Sequence, residues 1–399
     1  MNEKRDKKTI HFSANGIGLG HVGRLKPFAR WLHKEGHKVY FTGYGESLDQ
    51  LKFDKFNVHR VPEITFLENS DGSFNSIKTA LLTFSFSLVF MKQASLEYDY
   101  MAKNKPDLVV SDSRYSTLFA AKKYIQGSKP DLPLIFVTNQ LKAILPSPNR
   151  GGFSWLEKGS SYLNVRMVCW ADPVLIQDLP PPYTISTATY DPPDWLKDKF
   201  DYLGFINLKT PEELPDSKLL KEKFGVEADD RPLIYAPLAG TIVARKQLME
   251  LLKKNLKNFD GKIIISMGMF GKKLDQQFGN VRIISWLDDR FELLKAADIT
   301  IARPGLATVG DFLRFGKPCL LIPTLNHPEQ YQNAESIERL GVGKLLNQRN
   351  LNEKNLNKNI QFLINSENVK KSTKKMQNIM KKYNGMKKLK AIILEKLDL

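Results

Sequence analysis

Short apolar runs alternate with longer amphipathic segments in the first half of the chain. The apolar runs cover residues 9–13, 38–42, 108–111 and 134–138. Between the first two, Leu25, Phe28, Ala29 and Leu32 recur at helical spacing, and Gly36 ends the predicted helix. Strands that alternate with helices in this way are typical of a parallel sheet, so the first half predicts an α/β fold.

The second half repeats this alternation without repeating the sequence. Its predicted strands cover residues 233–236, 262–266, 281–285, 299–302 and 319–322. A chain of 399 residues is long enough for two domains. We therefore expect an N-terminal doubly wound domain over 1–205 and a second one over 206–370. We expect residues 371–399 to form Lys-rich helices that can pack back on the first domain.

Positive charge is concentrated at the C-terminal end. The formal net charge is +17, and from residue 351 onward 12 lysines face only 4 acidic residues. Such a surplus favours anionic partners, and we expect this tail to hold the protein near an anionic membrane surface. Its lysines have helical spacing and little aromatic interleaving, which makes nucleic acid an unlikely partner. A non-catalytic basic protein that binds membranes or nucleic acid remains an alternative.

The rest of the composition indicates a cytoplasmic protein. The two cysteines, Cys169 and Cys319, lie far apart in apolar contexts, so neither a disulfide framework nor a metal site is predicted. The charged N-terminus has no signal-peptide apolar region behind it. The apolar stretch 79–91 is too short to cross a bilayer and is either a buried helix or a membrane-surface or lipid-acceptor element. We expect a cytoplasmic protein that is peripheral on the inner face of the membrane.

A glycine-rich loop follows the first predicted strand. Gly16, Gly18 and Gly20 lie in it, and His21 comes directly after it. Ligands of open α/β sheets bind at such strand ends. The spacing is G-x-G-x-G instead of the dinucleotide pattern G-x-G-x-x-G, and no acidic residue ends the second strand. A dinucleotide-dependent oxidoreductase is therefore the weaker interpretation.

A second candidate loop lies at residues 301–311, where a strand passes through a tight turn into a helix. Free backbone N–H groups and the positive end of the helix dipole favour phosphate binding there. Gly305 permits close approach of a diphosphate, and Thr308 can add a hydroxyl. Asp311 can accept hydrogen bonds from both hydroxyls of a ribose. The alternative is that Asp311 is a solvated helix residue.

The next strand-to-helix connection, residues 323–333, carries an acid beside an amide. Glu329 and Gln330 together present acceptors and donors that can bind the hydroxyls of a sugar. The alternative is that both residues cap the helix that follows.

These residues resemble, in order and spacing, the donor-binding block of GT-B glycosyltransferases. The resemblance covers about forty residues from Arg303-Pro304-Gly305 through Lys317-Pro318, Glu329-Gln330 and Asn333 to Leu340-Gly341-Val342-Gly343. Within that family it is similar to the MurG-like branch and its archaeal relatives. The resemblance implies a GT-B fold, in which two doubly wound Rossmann-like domains face an interdomain cleft.

The resemblance also implies roles for individual residues. Gly305, Ala307 and Thr308 would contact the diphosphate, and Arg303 would add positive charge. Asp311 would bind the ribose, at a position where the family commonly has glutamate. The remaining donor contacts would be Glu329 and Gln330 at the sugar and Trp286 and Leu287 at the border of the base.

The N-terminal loop is similar to the Gly-His loop of the same branch, and Gly20-His21 is the closest match. His21 would act as general base on an acceptor hydroxyl, or would donate a hydrogen bond to a phosphate. Asp112, after the strand 108–111, would orient His21 or serve as the base itself. A role of His21 in capping the helix alone is the structural alternative.

The resemblance therefore implies a hexosyltransferase. It would move a hexose or N-acetylhexosamine from a nucleotide diphosphate sugar, with a UDP-sugar as the expected donor. The acceptor would be a hydroxyl or phosphate, lipid-linked (polyprenyl phosphate) or other. The expected reaction is inverting and independent of metal, and no cofactor is expected because the nucleotide sugar is a substrate. A nucleotide-sugar 2-epimerase of the same fold remains an alternative.

Overall fold

The computed structural model describes residues 6–16, 20–64, 83–142, 150–187, 189–190, 192–226, 231–269 and 272–399. Gly18 of the predicted glycine loop lies outside these residues, as do residues 79–82 of the apolar stretch. The remainder of that stretch belongs to a 22-residue helix.

The first sheet contains seven parallel strands, in the order β3-β2-β1-β4-β5-β6-β7. The strands are β1 (Thr9–Ala14), β2 (Lys38–Gly43), β3 (Asn57–Arg60), β4 (Leu108–Asp112), β5 (Leu134–Thr138), β6 (Val174–Ile176) and β7 (Phe200–Tyr202). The helices of this part are α1 (Gly20–Lys34), α2 (Glu46–Phe53), α3 (Thr83–Asn104), α4 (Tyr115–Gly127) and α5 (Arg150–Val168).

The second sheet also has seven strands, in the order β10-β11-β9-β8-β12-β13-β14, and only the pairing of β10 with β11 is antiparallel. The strands are β8 (Leu233–Pro237), β9 (Lys262–Ser266), β10 (Asp275–Phe278), β11 (Val281–Ile284), β12 (Ile299–Ala302), β13 (Cys319–Leu321) and β14 (Gly343–Leu345). The helices are α6 (Ser217–Lys223), α7 (Ile242–Leu256), α8 (Arg290–Ala296), α9 (Leu306–Phe315), α10 (Pro328–Arg339), α11 (Glu353–Asn365), α12 (Glu367–Lys382) and α13 (Gly385–Lys396). Three short 3-10 helices cover Asp194–Lys199, Pro211–Glu213 and Gln348–Asn350.

Apolar residues on both faces of the strands place each sheet between two helical layers. In β1, Ile10 and Phe12 are buried in one cluster with Leu25 and Phe28 of α1. On the opposite face of the sheet, Val109 of β4 is buried in a separate cluster. The prediction of two doubly wound α/β sheets is therefore confirmed.

The structure adds strands that apolar runs did not reveal. β3, β7, β10 and β14 are three or four residues long, and β10 is fully exposed. Short strands at or near a sheet edge bury little apolar surface, so their sequences carry a weak periodic signal.

The C-terminal helices are distributed over both halves of the molecule. Leu356 and Ile360 of α11 lie in the core of the second sheet. Leu389 and Ile393 of α13 lie in the core of the first sheet, although they come last in the sequence. Within the part of the chain described above, no helix is long and apolar enough to span a membrane.

Candidate active site

The candidate site residues lie where the strand order of each sheet reverses. In the first sheet this point lies between β1 and β4, which end at Ala14 and Asp112. In the second it lies between β8 and β12, which end at Pro237 and Ala302. Open α/β sheets bind ligands at the carboxyl ends of their strands beside such a reversal. Each sheet thus supplies one part of a candidate site.

His21, Asp112 and Arg24 form a compact cluster in the first domain. Nδ1 of His21 lies 2.8 Å from Oδ1 of Asp112. Arg24 donates through Nη2 to Oδ1 of Asp112 at 2.7 Å and through Nε to Oδ2. Asp112 is fully buried, while His21 retains about a fifth of its side-chain exposure. The structure therefore brings together the two residues that the sequence proposed for the base, and it adds an arginine.

The surroundings of Asp112 keep it ionised. Burial raises the pKa of this carboxyl, but the charges of Arg24 and His21 and their hydrogen bonds outweigh burial and hold the pKa well below its usual range. An ionised Asp112 that already accepts from Arg24 on both oxygens is a poor proton acceptor. This arrangement favours the orienting role for Asp112 over the role of base.

The glycine loop is shaped by close contact with β2 and the residues that follow it. A Cβ on Gly16 would lie 2.3 Å from the Tyr44 side chain and from its carbonyl oxygen, so only glycine fits there. The Tyr44 hydroxyl donates to Asn15 at 2.8 Å. A Cβ on Gly20, the first residue of α1, would meet no described atom within 4 Å.

The candidate diphosphate site is the amino end of α9. Gly305 is the N-cap residue, no side chain caps the helix, and its first turn contains no acidic residue. Ala307 and Thr308 lie in this turn and are half-buried. The uncompensated helix dipole and the free N–H groups of the first turn together favour an anion.

Asp311 lies one turn further along α9 and is buried, contrary to the alternative of a solvated helix residue. Its Oδ1 accepts from Asn207 at 3.0 Å, and its Oδ2 accepts from Arg290 at 2.6 Å. Burial raises the pKa of Asp311, although Arg290 and Asn207 counteract it. A carboxylate has about four acceptor positions, and two of them are taken here. The ribose contact remains a prediction.

Arg303 is buried and contacts backbone. It donates through Nη1 to the carbonyl oxygens of Ile322 and Pro323 at 2.8 and 2.9 Å, and through Nη2 to Gln348. Burial lowers the pKa of Arg303 to about 10. In this structure Arg303 fixes the ends of neighbouring strands, and a direct contact with the donor remains a prediction.

The predicted sugar and base contacts lie at neighbouring strand ends. Gln330 accepts a hydrogen bond from the Thr324 backbone at 2.8 Å, which fixes its amide in the loop before α10. Glu329 is half-buried in the first turn of α10 and has no side-chain partner among the described residues. Trp286 and Leu287 follow β11 and are half-buried, and Leu287 packs on the core of the second domain.

Three features of these sites were not predicted from the sequence. Arg24 could have been found, since it lies three residues after His21 and thus on the same helical face. The loop that includes Gly240 and Thr241 follows β8 at the strand reversal, and both residues are exposed. No sequence pattern pointed to Arg290, because its partner Asp311 lies 21 residues away. No group of three or more His, Cys, Asp or Glu side chains that could hold a metal ion occurs among the residues the structure describes.

Two protein-family models match separate parts of the chain. Residues 8–146 match "Glycosyl transferase family 1", and residues 242–389 match "Glycosyltransferase family 28 C-terminal domain". The second match includes the helix α9 and the loop before α10, where the donor contacts were predicted.

The chain is similar over most of its length to curated archaeal proteins. An uncharacterized glycosyltransferase of Methanosarcina mazei is 26% identical over 385 residues, which is 95% of this chain and 96% of the relative. The UDP-N-acetylglucosamine–N-acetylmuramyl-(pentapeptide) pyrophosphoryl-undecaprenol N-acetylglucosamine transferase of Clostridium botulinum is 26% identical over 265 residues. That match covers 63% of this chain and 70% of the relative.

Solved structures share the arrangement of both domains. CalG4, the calicheamicin glycosyltransferase, superimposes with a TM-score of 0.69 at 16% identity and covers 99% of each chain. MurG of Acinetobacter baumannii superimposes with a TM-score of 0.62 at 15% identity, over 98% of this chain and 99% of that one. The resemblance to GT-B glycosyltransferases and their MurG-like branch, stated from the sequence, is therefore confirmed.

Proposed function

This chain is a glycosyltransferase with the GT-B fold, and we propose that it moves a hexose or N-acetylhexosamine from a UDP-sugar to a lipid-linked acceptor. The acceptor group is a hydroxyl or a phosphate. The proposal of a UDP donor and a lipid-linked acceptor is supported by the similarity to the N-acetylglucosamine transferase of Clostridium botulinum.

The observation that carries the proposal is the hydrogen bonding of the two ring nitrogens of His21. Its Nδ1 faces the buried carboxylate of Asp112, and its Nε2 has no hydrogen-bond partner among the described residues. An imidazole fixed at one nitrogen and open at the other is the geometry of a general base. The open nitrogen lies at the carboxyl end of the sheet, where the acceptor of a GT-B enzyme would bind.

We assign the donor to the second domain. The diphosphate binds the N–H groups of Ala307 and Thr308 at the amino end of α9, where no acidic residue opposes it. Gly305 lets it approach closely, while the N–H of Gly305 itself donates to the carbonyl oxygen of Arg303 at 2.8 Å. The ribose hydroxyls bind the remaining acceptor positions of Asp311, and the uracil lies beside Trp286 and Leu287. The sugar hydroxyls bind Glu329 and the free amide nitrogen of Gln330.

The reaction is a single displacement that inverts the anomeric carbon. Nε2 of His21 takes the proton of the acceptor hydroxyl as its oxygen attacks the anomeric carbon. The bond from that carbon to the diphosphate breaks, and the helix dipole of α9 and Thr308 stabilise the departing oxygens. These backbone and side-chain groups supply the positive potential at the leaving group, and we propose that the transfer is independent of metal.

An anionic membrane surface is the proposed location of the acceptor. The lysines of α11 to α13 lie on the outer faces of these helices, since the apolar faces are buried in the cores. A second surface in the first domain combines apolar and basic side chains on α3, α4 and α5: Leu88, Met91, Lys123, Trp155, Lys158, Tyr162, Leu163 and Arg166, all exposed or half-buried. Apolar side chains beside basic ones suit the interface of an anionic bilayer.

The donor assignment is tested with a panel of nucleotide sugars, by thermal stabilisation and by nucleotide release in the presence of polyprenyl phosphate or a membrane lipid extract. We expect one UDP-sugar to stabilise the wild type, since a ligand of the folded state raises its apparent stability. His21→Ala should keep this stabilisation and lose about 10²- to 10⁴-fold in turnover. Asp311→Asn should weaken the stabilisation.

His33→Ala is the matched control, because His33 lies on the same helix and is exposed. It should leave turnover unchanged. If no nucleotide sugar stabilises the protein, the donor proposal is wrong. If the sugar is converted without any acceptor, the protein is a nucleotide-sugar 2-epimerase instead.

Membrane contact is tested by cosedimentation with vesicles of phosphatidylcholine and phosphatidylglycerol at low salt. We expect the wild type to bind and Trp155→Gln/Leu163→Gln to bind less. Lys371→Glu/Lys375→Glu should weaken binding in a salt-dependent way. Wild-type protein that stays in the supernatant at low salt would refute the membrane proposal.

A further inference from the structure

We propose that Arg24 is a positioning residue that acts through Asp112 to set the proton on His21. The proposal rests on the proposed role of His21 as the base. Arg24 lies one turn after His21 in α1, and its guanidinium binds both oxygens of Asp112 side-on. Its side chain is almost completely buried, with 7% exposure, so water competes little for these hydrogen bonds.

The close contacts at Nδ1 of His21 determine which nitrogen carries the hydrogen. Nδ1 lies 2.8 Å from Oδ1 of Asp112 and also 2.8 Å from Nη2 of Arg24. If Nδ1 were unprotonated, Nη2 could donate to it, but its lone pair would also face the ionised carboxylate oxygen, which is repulsive, and Nη2 already donates to that oxygen at 2.7 Å. A hydrogen on Nδ1 donates to Asp112 and removes this repulsion. The neutral imidazole therefore has its lone pair on Nε2, the open nitrogen.

Arg24 also fixes the carboxylate to which that hydrogen points. A single hydrogen bond from His21 would leave Asp112 free to rotate about its side-chain bonds. The two bonds from the planar guanidinium hold the carboxylate in one orientation, as Lys cannot. Because Asp112 is the last residue of β4, this orientation holds the imidazole beside the end of that strand.

The charge of Arg24 has a second effect on the same histidine. A carboxylate alone beside an imidazole attracts a proton to it and would favour the imidazolium before the acceptor arrives. Arg24 and Asp112 together form a neutral pair. The imidazole of His21 therefore faces a carboxylate whose charge Arg24 balances.

The experiment compares Arg24→Gln and Arg24→Lys with wild type in donor turnover. We expect Arg24→Gln to lower kcat by about 10- to 100-fold, less than the roughly 10²- to 10⁴-fold loss of the base itself. The KM for the donor should be unchanged, because the proposed donor site lies in the second domain. Arg24→Lys should restore part of kcat, because it returns the charge without the two-point contact.

A double-variant cycle separates positioning from general damage to the fold. In the His21→Ala background there is no imidazole left to position, so adding Arg24→Gln should not lower the residual rate further. Arg30→Gln is the matched control on the same helix, since Arg30 is exposed and contacts Asp54 away from the site. It should keep kcat within about twofold of wild type.

Nitrogen-15 NMR of the histidine ring tests the proposal independently of turnover. In the resting wild type at neutral pH, we expect His21 to carry its hydrogen on Nδ1 and none on Nε2. Arg24→Gln should lower the fraction that carries its hydrogen on Nδ1, because Asp112 is no longer held in one orientation. The proposal is overturned if wild-type His21 carries its hydrogen on Nε2, or if Arg24→Gln retains wild-type kcat. Absence of any transferase activity would refute the proposed function, while the NMR result would still decide the role of Arg24.

Discussion

At the scale of residues, the chemistry of the first domain depends on one buried carboxylate. Asp112 has no contact with solvent and is compensated by Arg24 and His21. Removing one partner of a buried ion pair strongly destabilises the folded protein, because the other charge then remains unpaired in a medium of low dielectric. The same contacts that orient His21, the proposed base, therefore also contribute to the stability of the fold.

This dual role predicts a pH-dependent effect of Asp112→Asn on stability. Since the folded-state pKa of Asp112 is depressed, its stabilisation is present above the unfolded pKa of about 4 and is lost as the pH falls towards the folded value. Urea unfolding at pH 7 should show a loss of about 3–5 kcal/mol in the variant. The difference should shrink by up to about 1.4 kcal/mol for each pH unit below 4. If wild type and Asp112→Asn differ by the same unfolding free energy at pH 7 and at pH 3, the pKa of Asp112 is not depressed in the folded state.

At the scale of elements, α9 combines a partly accessible first turn, in which Ala307 and Thr308 are half-buried, with a buried second turn. The first turn has backbone N–H groups that no side chain caps, and the second holds Asp311 against Arg290. Gly310 allows this packing, because a Cβ there would lie 2.2 Å from the Phe205 ring. The position of the proposed diphosphate site thus depends on how α9 packs on the chain that follows β7.

Thr308→Glu should change binding and stability in opposite directions. An acidic residue in the first turn stabilises a helix by about 0.3–1 kcal/mol, so the melting temperature should stay equal or rise. The same carboxylate repels a diphosphate, and the affinity for UDP, measured by calorimetry, should fall at least about tenfold.

Asn368→Glu provides the matched control for Thr308→Glu. Asn368 is an exposed residue in the first turn of α12, away from the proposed donor site. The control should have the same small effect on stability and no effect on UDP affinity. If both variants bind UDP like wild type, α9 is not the diphosphate site.

At the scale of the whole molecule, the chain crosses between its halves twice. After β7 it enters the second domain, and near residue 384 it returns, where Asn384 pairs with Phe205 in an isolated bridge. α13 then packs into the first core, and Lys388 contacts Asp201 at 2.5 Å. The last fifteen residues are therefore a structural part of the first domain.

Truncation of the tail should consequently unfold the first domain and cannot serve as a test of membrane binding. Leu389→Ala removes a fully buried side chain and should cost about 2–5 kcal/mol in unfolding free energy. Lys387→Ala on the same helix should change stability by less than about 0.5 kcal/mol. Denaturant titration measures both, and equal stabilities of the two variants would refute this packing role.

The sequence by itself determined the features that depend on neighbouring residues. Alternating apolar runs and helical spacing predicted two parallel sheets, and the loops around Gly16 and Gly305 indicated the strand ends at which we propose that ligands bind. These signals are local, because strand burial, helix periodicity and turn chemistry depend on residues within one or two turns of each other. The order of the donor block also indicated the family before any contact was known.

Only the tertiary structure decided which distant groups meet. It paired His21 with Asp112 across 91 residues and added Arg24 to the pair, and it turned Asp311 into a buried partner of Arg290. It also divided the expected C-terminal unit, since α13 packs in the core of the first domain and α12 in the core of the second. These outcomes depend on how two sheets and their helices pack, since the charge balance and burial of a side chain are properties of its surroundings in space.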